Sequence, residues 1–142
     1  MGERVLLVDD EEEFLEIMAE RMRNRGMEVV AVTSAKEALE RIEKELFDAI
    51  ILDFMMPGMN GLETIKAIKK KKPQLQVILL SGQATLSKGI EAMKLGALDV
   101  VEKPADMELL VAKIKKAESK TALIVDKQTQ ENVEEMLKRF GV

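Results

Sequence analysis

The sequence predicts an α/β domain: a doubly wound parallel sheet of five strands alternating with five helices, (βα)5, followed by a helical extension. Three observations predict it. Short apolar runs alternate five times with longer segments of helical periodicity. Several runs are apolar at consecutive positions, as in parallel strands covered on both faces. Glycine and proline stand at most of the joints. Strands joined through helices lie parallel, with right-handed crossovers.

The elements follow in order. Arg4–Val8 is short and branched and reads as a buried strand. Glu12–Arg25 reads as a helix. Glu11, Glu12 and Glu13 favour its N-terminus, Phe14, Ile17, Met18 and Met22 form its buried stripe, and Gly26 is its C′ stop. Glu28–Val32 is the second strand. Ser34 with Glu37 three residues on is a capping box, opening a helix with Ala38, Leu39, Ile42 and Leu46 inward. Asp48–Leu52, continuous in apolar character, is the third and central strand.

Pro57-Gly58 and Asn60-Gly61 mark a loop, and Leu62–Lys71 is the third helix, with Leu62, Ile65 and Ile68 inward. Pro73 ends that region. Gln76–Leu80 is the fourth strand, Thr85–Leu95 a helix closed by Gly96, and Asp99–Val101 a short fifth strand. Pro104 precedes a last helix, Met107–Glu118. From Ala105 to Phe140 there is no glycine or proline, and Leu123, Ile124, Val133, Met136, Leu137 and Phe140 recur at roughly helical spacing. The last helix either continues or breaks near Ser119–Thr121. Residues 1–118 are expected to form the domain and residues 119–142 a helical extension, whose apolar face needs its own domain, a second copy or another protein as partner. Lys138-Arg139-Phe140-Gly141-Val142 reads as a finished helix end, so a stand-alone protein is expected rather than part of a longer regulator.

Composition narrows the function. The chain has 142 residues, a net charge of -4 and no histidine, cysteine, tryptophan or tyrosine. That excludes histidine bases, thiolate nucleophiles, zinc thiolate sites and a phosphohistidine donor role. The charge gives no broad pull toward nucleic acid or anionic membrane, and no direct contact with either is expected. No apolar run approaches the roughly 20 residues of a membrane span, and the start lacks signal-peptide character, so a cytoplasmic location is expected.

Four short signals end the apolar runs: Asp9-Asp10, Asp53, Ser81-Gly82 and Lys103-Pro104. Parallel neighbouring strands would bring them to one sheet edge, where ligands bind in open α/β sheets. Crowded carboxylates ask for a cation. Mg2+ suits them, held by Asp10, Asp9, Asp53 and the Met55 backbone carbonyl. Asp53, ending the central strand, is the candidate nucleophile toward phosphorus, forming an acyl phosphate. Lys103 would neutralise phosphoryl oxygens, and Ser81 and the Gly82 N–H would donate to another. Pro104 permits a cis Lys-Pro bond that would aim the ammonium inward. Singly, these residues also read as helix caps, a loop aspartate and a solvated lysine; their joint placement argues otherwise.

Leu6-Leu7-Val8-Asp9-Asp10, Leu52-Asp53-Phe54-Met55-Met56-Pro57-Gly58-Met59-Asn60-Gly61, Ser81-Gly82 and Lys103-Pro104 together resemble the receiver domain of two-component response regulators (CheY-like or NtrC-type), over about residues 3–118. The resemblance implies a flavodoxin-like fold with strand order 2-1-3-4-5. It also implies Mg2+-dependent phosphoryl transfer to Asp53 from a sensor histidine kinase or phosphotransfer protein, and output through a downstream protein target or a homodimer. Such a protein is not an enzyme beyond its own phosphorylation and slow dephosphorylation, which Met55 and Gln83 would tune. One departure is Val100, where the family usually has the Tyr or Phe that couples the pocket to the face of helix 4, strand 5 and helix 5. A constitutive pseudo-receiver is the alternative that Val100 raises beside the phosphorylation-switched receiver. A Mg2+-dependent phosphohydrolase would ordinarily carry an Asp two residues after the nucleophile, where this chain has Met55.

Overall fold

In a computed structural model, the structure describes residues 2–53, 55–56, 59–82, 86–103 and 106–139, without the side chains of residues 55–56, 59–60, 86–87, 121–133, 135–136 and 139. Five strands form one sheet: β1 (Arg4–Val8), β2 (Glu28–Val32), β3 (Ala49–Asp53), β4 (Gln76–Ser81) and β5 (Asp99–Glu102). Their order is β2-β1-β3-β4-β5, and every neighbouring pair is parallel. This is the expected order 2-1-3-4-5. The helices between and after them are α1 (Glu12–Arg23), α2 (Ala35–Lys44), α3 (Gly61–Lys71), α4 (Leu86–Lys94) and α5 (Met107–Arg139).

Side chains alternate across the pleat and divide the core into two layers. Val5 and Leu7 of β1, Ala49 and Ile51 of β3, and Ile78 and Leu80 of β4 pack with α1 and α5. Leu6 and Val8, Ile50 and Leu52, and Val77 and Leu79 pack on the other face with α2, α3 and α4. All six residues of β4 and all five of β3 are buried, so both central strands are sealed from water. Each buried Leu or Ile side chain contributes about 1.5–3 kcal/mol by leaving water.

Local signals set the element ends. The Glu37 N–H donates to Ser34 Oγ at 3.1 Å, and the Thr33 N–H to Glu37 Oε2 at 3.4 Å, so the capping residues satisfy donors at the start of α2. Gly26 and Gly96 hold positive φ (86° and 105°) after α1 and α4. At each, the next residue's N–H reaches back five positions, Met27 to Met22 and Ala97 to Ala92, as in a Schellman stop.

Three expectations change. Ile17 is 48% exposed, and the buried positions of α1 are Leu15, Met18, Ala19 and Met22. The apolar arc of α1 is wider than one face, and the sheet takes its centre. Leu46 is 82% exposed, because α2 ends at Lys44 and helical spacing no longer applies beyond it. The loop after β3 contains a short antiparallel hairpin, Met55–Met56 with Met59–Asn60. Of the two alternatives for the last helix, α5 continues without a break near Ser119–Thr121, over 33 residues and a length of about 50 Å.

α5 is also tied to the sheet by charge. Lys113 pairs with Asp99 at the start of β5, and the Val100 N–H donates to Asp99 Oδ1 at 2.8 Å. Burial pushes the Asp99 carboxyl up, but the Lys113 hydrogen bond, the Val100 N–H and the charges of Lys113 and Lys116 together hold its pKa below the ordinary value. The pair therefore contributes stability above the ordinary aspartate range and loses it as pH falls through the lowered pKa.

Lys113→Met is expected to destabilise by about 0.5–1 kcal/mol at neutral pH in urea unfolding, the difference from wild type closing as carboxylates protonate in acid. Gly96→Ala is expected to cost about 1–3 kcal/mol, because its φ is positive and a Cβ there would meet Lys69 Cε at 3.2 Å. Gly89→Ala, inside α4 with open space around it, is expected to stabilise by about 0.5–1 kcal/mol in the same assay.

Candidate functional site

The sheet register builds the site. Val8 pairs with Leu52, Asp53 with Leu80, and Ser81 with Glu102, so the residues that end these strands come to one edge. β1 delivers Asp9 and Asp10, β3 delivers Asp53, β4 delivers Ser81 and Gly82, and β5 delivers Lys103. The Lys103 N–H donates to the Ser81 carbonyl at 2.7 Å, extending the β4–β5 ladder to the lysine.

Asp9, Asp10 and Asp53 place carboxylate oxygens within 4.8 Å of one another. Asp9 is 1% exposed and Asp53 6%, whereas Asp10 faces solvent. At that spacing two ionised carboxylates repel by about 3 kcal/mol at an effective dielectric of 20. Lys103 offsets this. Its Nζ donates to Asp9 Oδ2 at 2.7 Å and lies 3.6 Å from Asp53 Oδ1 and 4.0 Å from Glu11 Oε1. Burial disfavours the ammonium, but the hydrogen bond to Asp9 and the charges of Asp53, Asp9 and Glu11 outweigh it and raise its pKa above the usual lysine value. Lys103 is therefore a permanent cation at physiological pH.

The capping alternative for Asp9 is not realised: the N-cap of α1 is Glu11 and no side chain caps that end, but Asp9 still holds the turn before the helix. Its Oδ1 accepts from the Glu11 N–H at 2.9 Å while its Oδ2 accepts from Lys103, so one carboxylate holds both that turn and the lysine. Ser81 is 1% exposed and its neighbour Gly82 is exposed, so a buried serine stands next to an exposed glycine.

The donor set fits a hard divalent cation. It offers carboxylate oxygens only, two of them on buried residues, and Asp10 opens it to water. Mg2+ takes few carboxylates and keeps waters and phosphate oxygens. Met55 lies in the hairpin strand paired with Asn60. Gln83 and Pro104, and with Pro104 the cis-bond expectation, lie outside the described residues. Val100 pairs with Leu79 one step before the sheet edge and packs, partly buried, on the α2–α4 side of the core. A cavity of about 460 Å³ lined by Arg4, Phe47, Asp48 and Leu75 lies at the opposite, amino ends of the strands and shares no residue with the cluster.

Two neighbours were not anticipated from the sequence. By sequence Glu11 is a helix-start acid, yet its Oε1 lies 4.0 Å from the Lys103 Nζ. By sequence Phe14 belongs to the core stripe, yet the Lys103 Nζ stands 4.3 Å from its ring centroid. The one hint was an aromatic residue a turn after the acidic pair.

Residues 5–115 match the family model described as the response regulator receiver domain. The chain is 34% identical over 120 residues to the transcriptional regulatory protein ZraR of Escherichia coli O157:H7, covering 84% of this chain and 27% of that protein. It thus spans about a quarter of the length of the curated relatives it matches. Among solved structures it resembles a response regulator receiver domain protein from Clostridium thermocellum (TM-score 0.82, 31% identity, covering 87% of this chain and 99% of that one). It also resembles the beryllofluoride-activated NtrC4 receiver domain dimer (TM-score 0.78, 31% identity, covering 83% and 98%).

Lys103→Met leaves Asp9 and Asp53 without their cation and is expected to lower stability by about 2–4 kcal/mol in urea unfolding with EDTA present. Lys103→Met with Asp9→Asn should recover part of that loss; no recovery would show that the charges do not interact as placed.

Proposed function

The chain belongs to the response regulator receiver domain family of two-component systems, and from that premise we propose that Asp53 is its phosphoacceptor, served by Mg2+ and a partner histidine kinase or phosphotransfer protein. The observation that carries this reading is the Lys103 ammonium, 2.7 Å from Asp9 and 3.6 Å from Asp53 inside a cluster of three carboxylates.

An Asp53 carboxylate oxygen bonds to phosphorus as the P–N bond of the donor phosphohistidine breaks. The imidazole leaves with that electron pair and is protonated from solvent, and the product is an acyl phosphate. This chain has an acceptor and no histidine, so the donor must be another protein or a small phosphodonor. Asp9, Asp10 and Asp53, with the Met55 backbone carbonyl, would hold Mg2+, which when bound neutralises charge on the carboxylates and the phosphoryl oxygens. Lys103 binds a phosphoryl oxygen as a point charge, and its bond to Asp9 keeps it within reach of Asp53. Ser81 Oγ and the Gly82 N–H serve a further oxygen, and Pro104 restrains the lysine backbone. Positioning and charge neutralisation supply the catalysis, as is general for phosphoryl transfer. Met55 and Gln83 tune the lifetime of the product in opposite directions, an apolar Met55 screening it from water and Gln83 orienting water toward it.

Residues 1–118 act as the receiver and residues 119–142 as a helical extension that serves output. The signal passes by altered protein contacts, to a downstream protein or a second copy, and not by direct contact with nucleic acid. No described helix is long and apolar enough to cross a membrane.

Acetyl phosphate with Mg2+ is expected to add one phosphoryl group by intact-mass spectrometry. Asp53→Asn should remove that label, Asp10→Asn should slow labelling by about 10-fold or more, and EDTA should abolish it. Equal labelling of Asp53→Asn would end the assignment.

A further inference from the structure

The position from which an aromatic side chain usually couples such a site to its output carries Val100. Yet the site does contain an aromatic partner. Phenylalanine is the sole aromatic residue type in the chain, with four copies, of which Phe14 and Phe47 are among the described residues. Phe47 lies at the opposite end of the strands, its ring 5.2 Å below the Arg4 guanidinium. Phe14 lies in the first turn of α1, with the Lys103 Nζ over its ring at 4.3 Å. That is within the roughly 6 Å at which an ammonium is attracted to an aromatic face.

Resting on the Asp53 assignment, we propose that Phe14 is the aromatic positioning residue of this receiver: its ring holds the Lys103 ammonium in the unphosphorylated site, and the departure of Lys103 toward a phosphoryl group on Asp53 transmits the change to α1 and α5.

Lys103 is shared in the resting structure. It touches Asp9 and the Phe14 ring, and Asp53 Oδ1 stands a little beyond hydrogen-bond distance at 3.6 Å. Phosphorylation replaces the single charge of the Asp53 carboxylate with up to about two on phosphoryl oxygens, a net gain of about one negative charge, carried by oxygens that reach farther from the backbone. The ammonium is drawn toward them, and a shift of about 1–2 Å suffices to weaken its contact with the ring. Phe14 is partly buried against the core layer formed by Leu15 and Met18 of α1 with Met107, Leu110 and Ile114 of α5. A change in its seating is therefore felt where α1 and α5 meet the sheet. The same two elements are joined at the surface by Arg25, which follows α1, and Glu108 in the first turn of α5, at 3.1 Å. α5 is the helix that runs on to Arg139. Val100, by contrast, packs on the α2–α4 side, which this route does not use.

The test compares wild type, Phe14→Leu and Phe14→Tyr, each with and without acetyl phosphate and Mg2+, with intact mass recorded for every sample. The first readout is the proton NMR shift of the Lys103 ε-methylene, which the ring current should move upfield in resting wild type and Phe14→Tyr but not in Phe14→Leu. Phosphorylation should return it toward the ordinary lysine position. The second is amide hydrogen exchange across α1 and α5. Wild type and Phe14→Tyr should change protection on phosphorylation, and Phe14→Leu should lose more than half of that change while still labelling on Asp53. An unshifted ε-methylene in resting wild type, or a full exchange response in labelled Phe14→Leu, overturns the role of Phe14 and leaves Asp53 as acceptor. Absence of label on wild type overturns the Asp53 assignment and this proposal together.

Discussion

One ammonium set among carboxylates at the carboxyl edge of the sheet organises this molecule. Asp9 and Asp53 are buried within 4.8 Å of each other, a placement that water would ordinarily oppose. Lys103 makes it tenable by a direct bond to Asp9 and a close approach to Asp53. The same charge that stabilises the resting cluster is the one a phosphoryl group would recruit.

The scaffold makes that balance specific. β3 and β4 are buried over their full lengths and β1 from Val5 to Val8, so their register cannot slip without moving every core side chain to the other face. The site residues stand just past the ends of those strands and inherit their rigidity. Asp9 illustrates the economy of this arrangement: one of its oxygens fixes the turn before α1 through the Glu11 N–H and the other fixes Lys103. A change at the lysine is thereby adjacent to a helix terminus.

The proposed path out of the site would differ from the one the family resemblance implies. Val100 has no ring to swing, and its side chain belongs to the α2–α4 layer. Phe14 sits on the opposite layer, shared with α5. α5 is continuous through residues 119–139, so on the proposed reading that layer would carry output.

Much of this was legible in the residues alone. Consecutive apolar runs with helices between them establish parallel strands, because only strands covered on both faces lack polar alternation, and the acidic pair, the single aspartate, the serine-glycine and the lysine-proline fall where such strands end. Helix ends were legible where one residue type is chemically required, as at Ser34 with Glu37 and at Gly26 and Gly96. Other features needed the folded chain. The buried centre of α1 lies at Leu15 and Met18 rather than toward Ile17, because its apolar arc is wider than one face and only the sheet selects the middle. Leu46 is exposed because α2 stops at Lys44. The hairpin at residues 55–60 and the unbroken α5 depend on contacts and cooperativity that no short pattern encodes. The pairing of Lys103 with Phe14, across 89 positions of sequence, exists only because β1 and β5 end at the same edge; local sequence specifies elements and their caps, and distance between residues far apart in the chain is decided by how the sheet brings strand ends together.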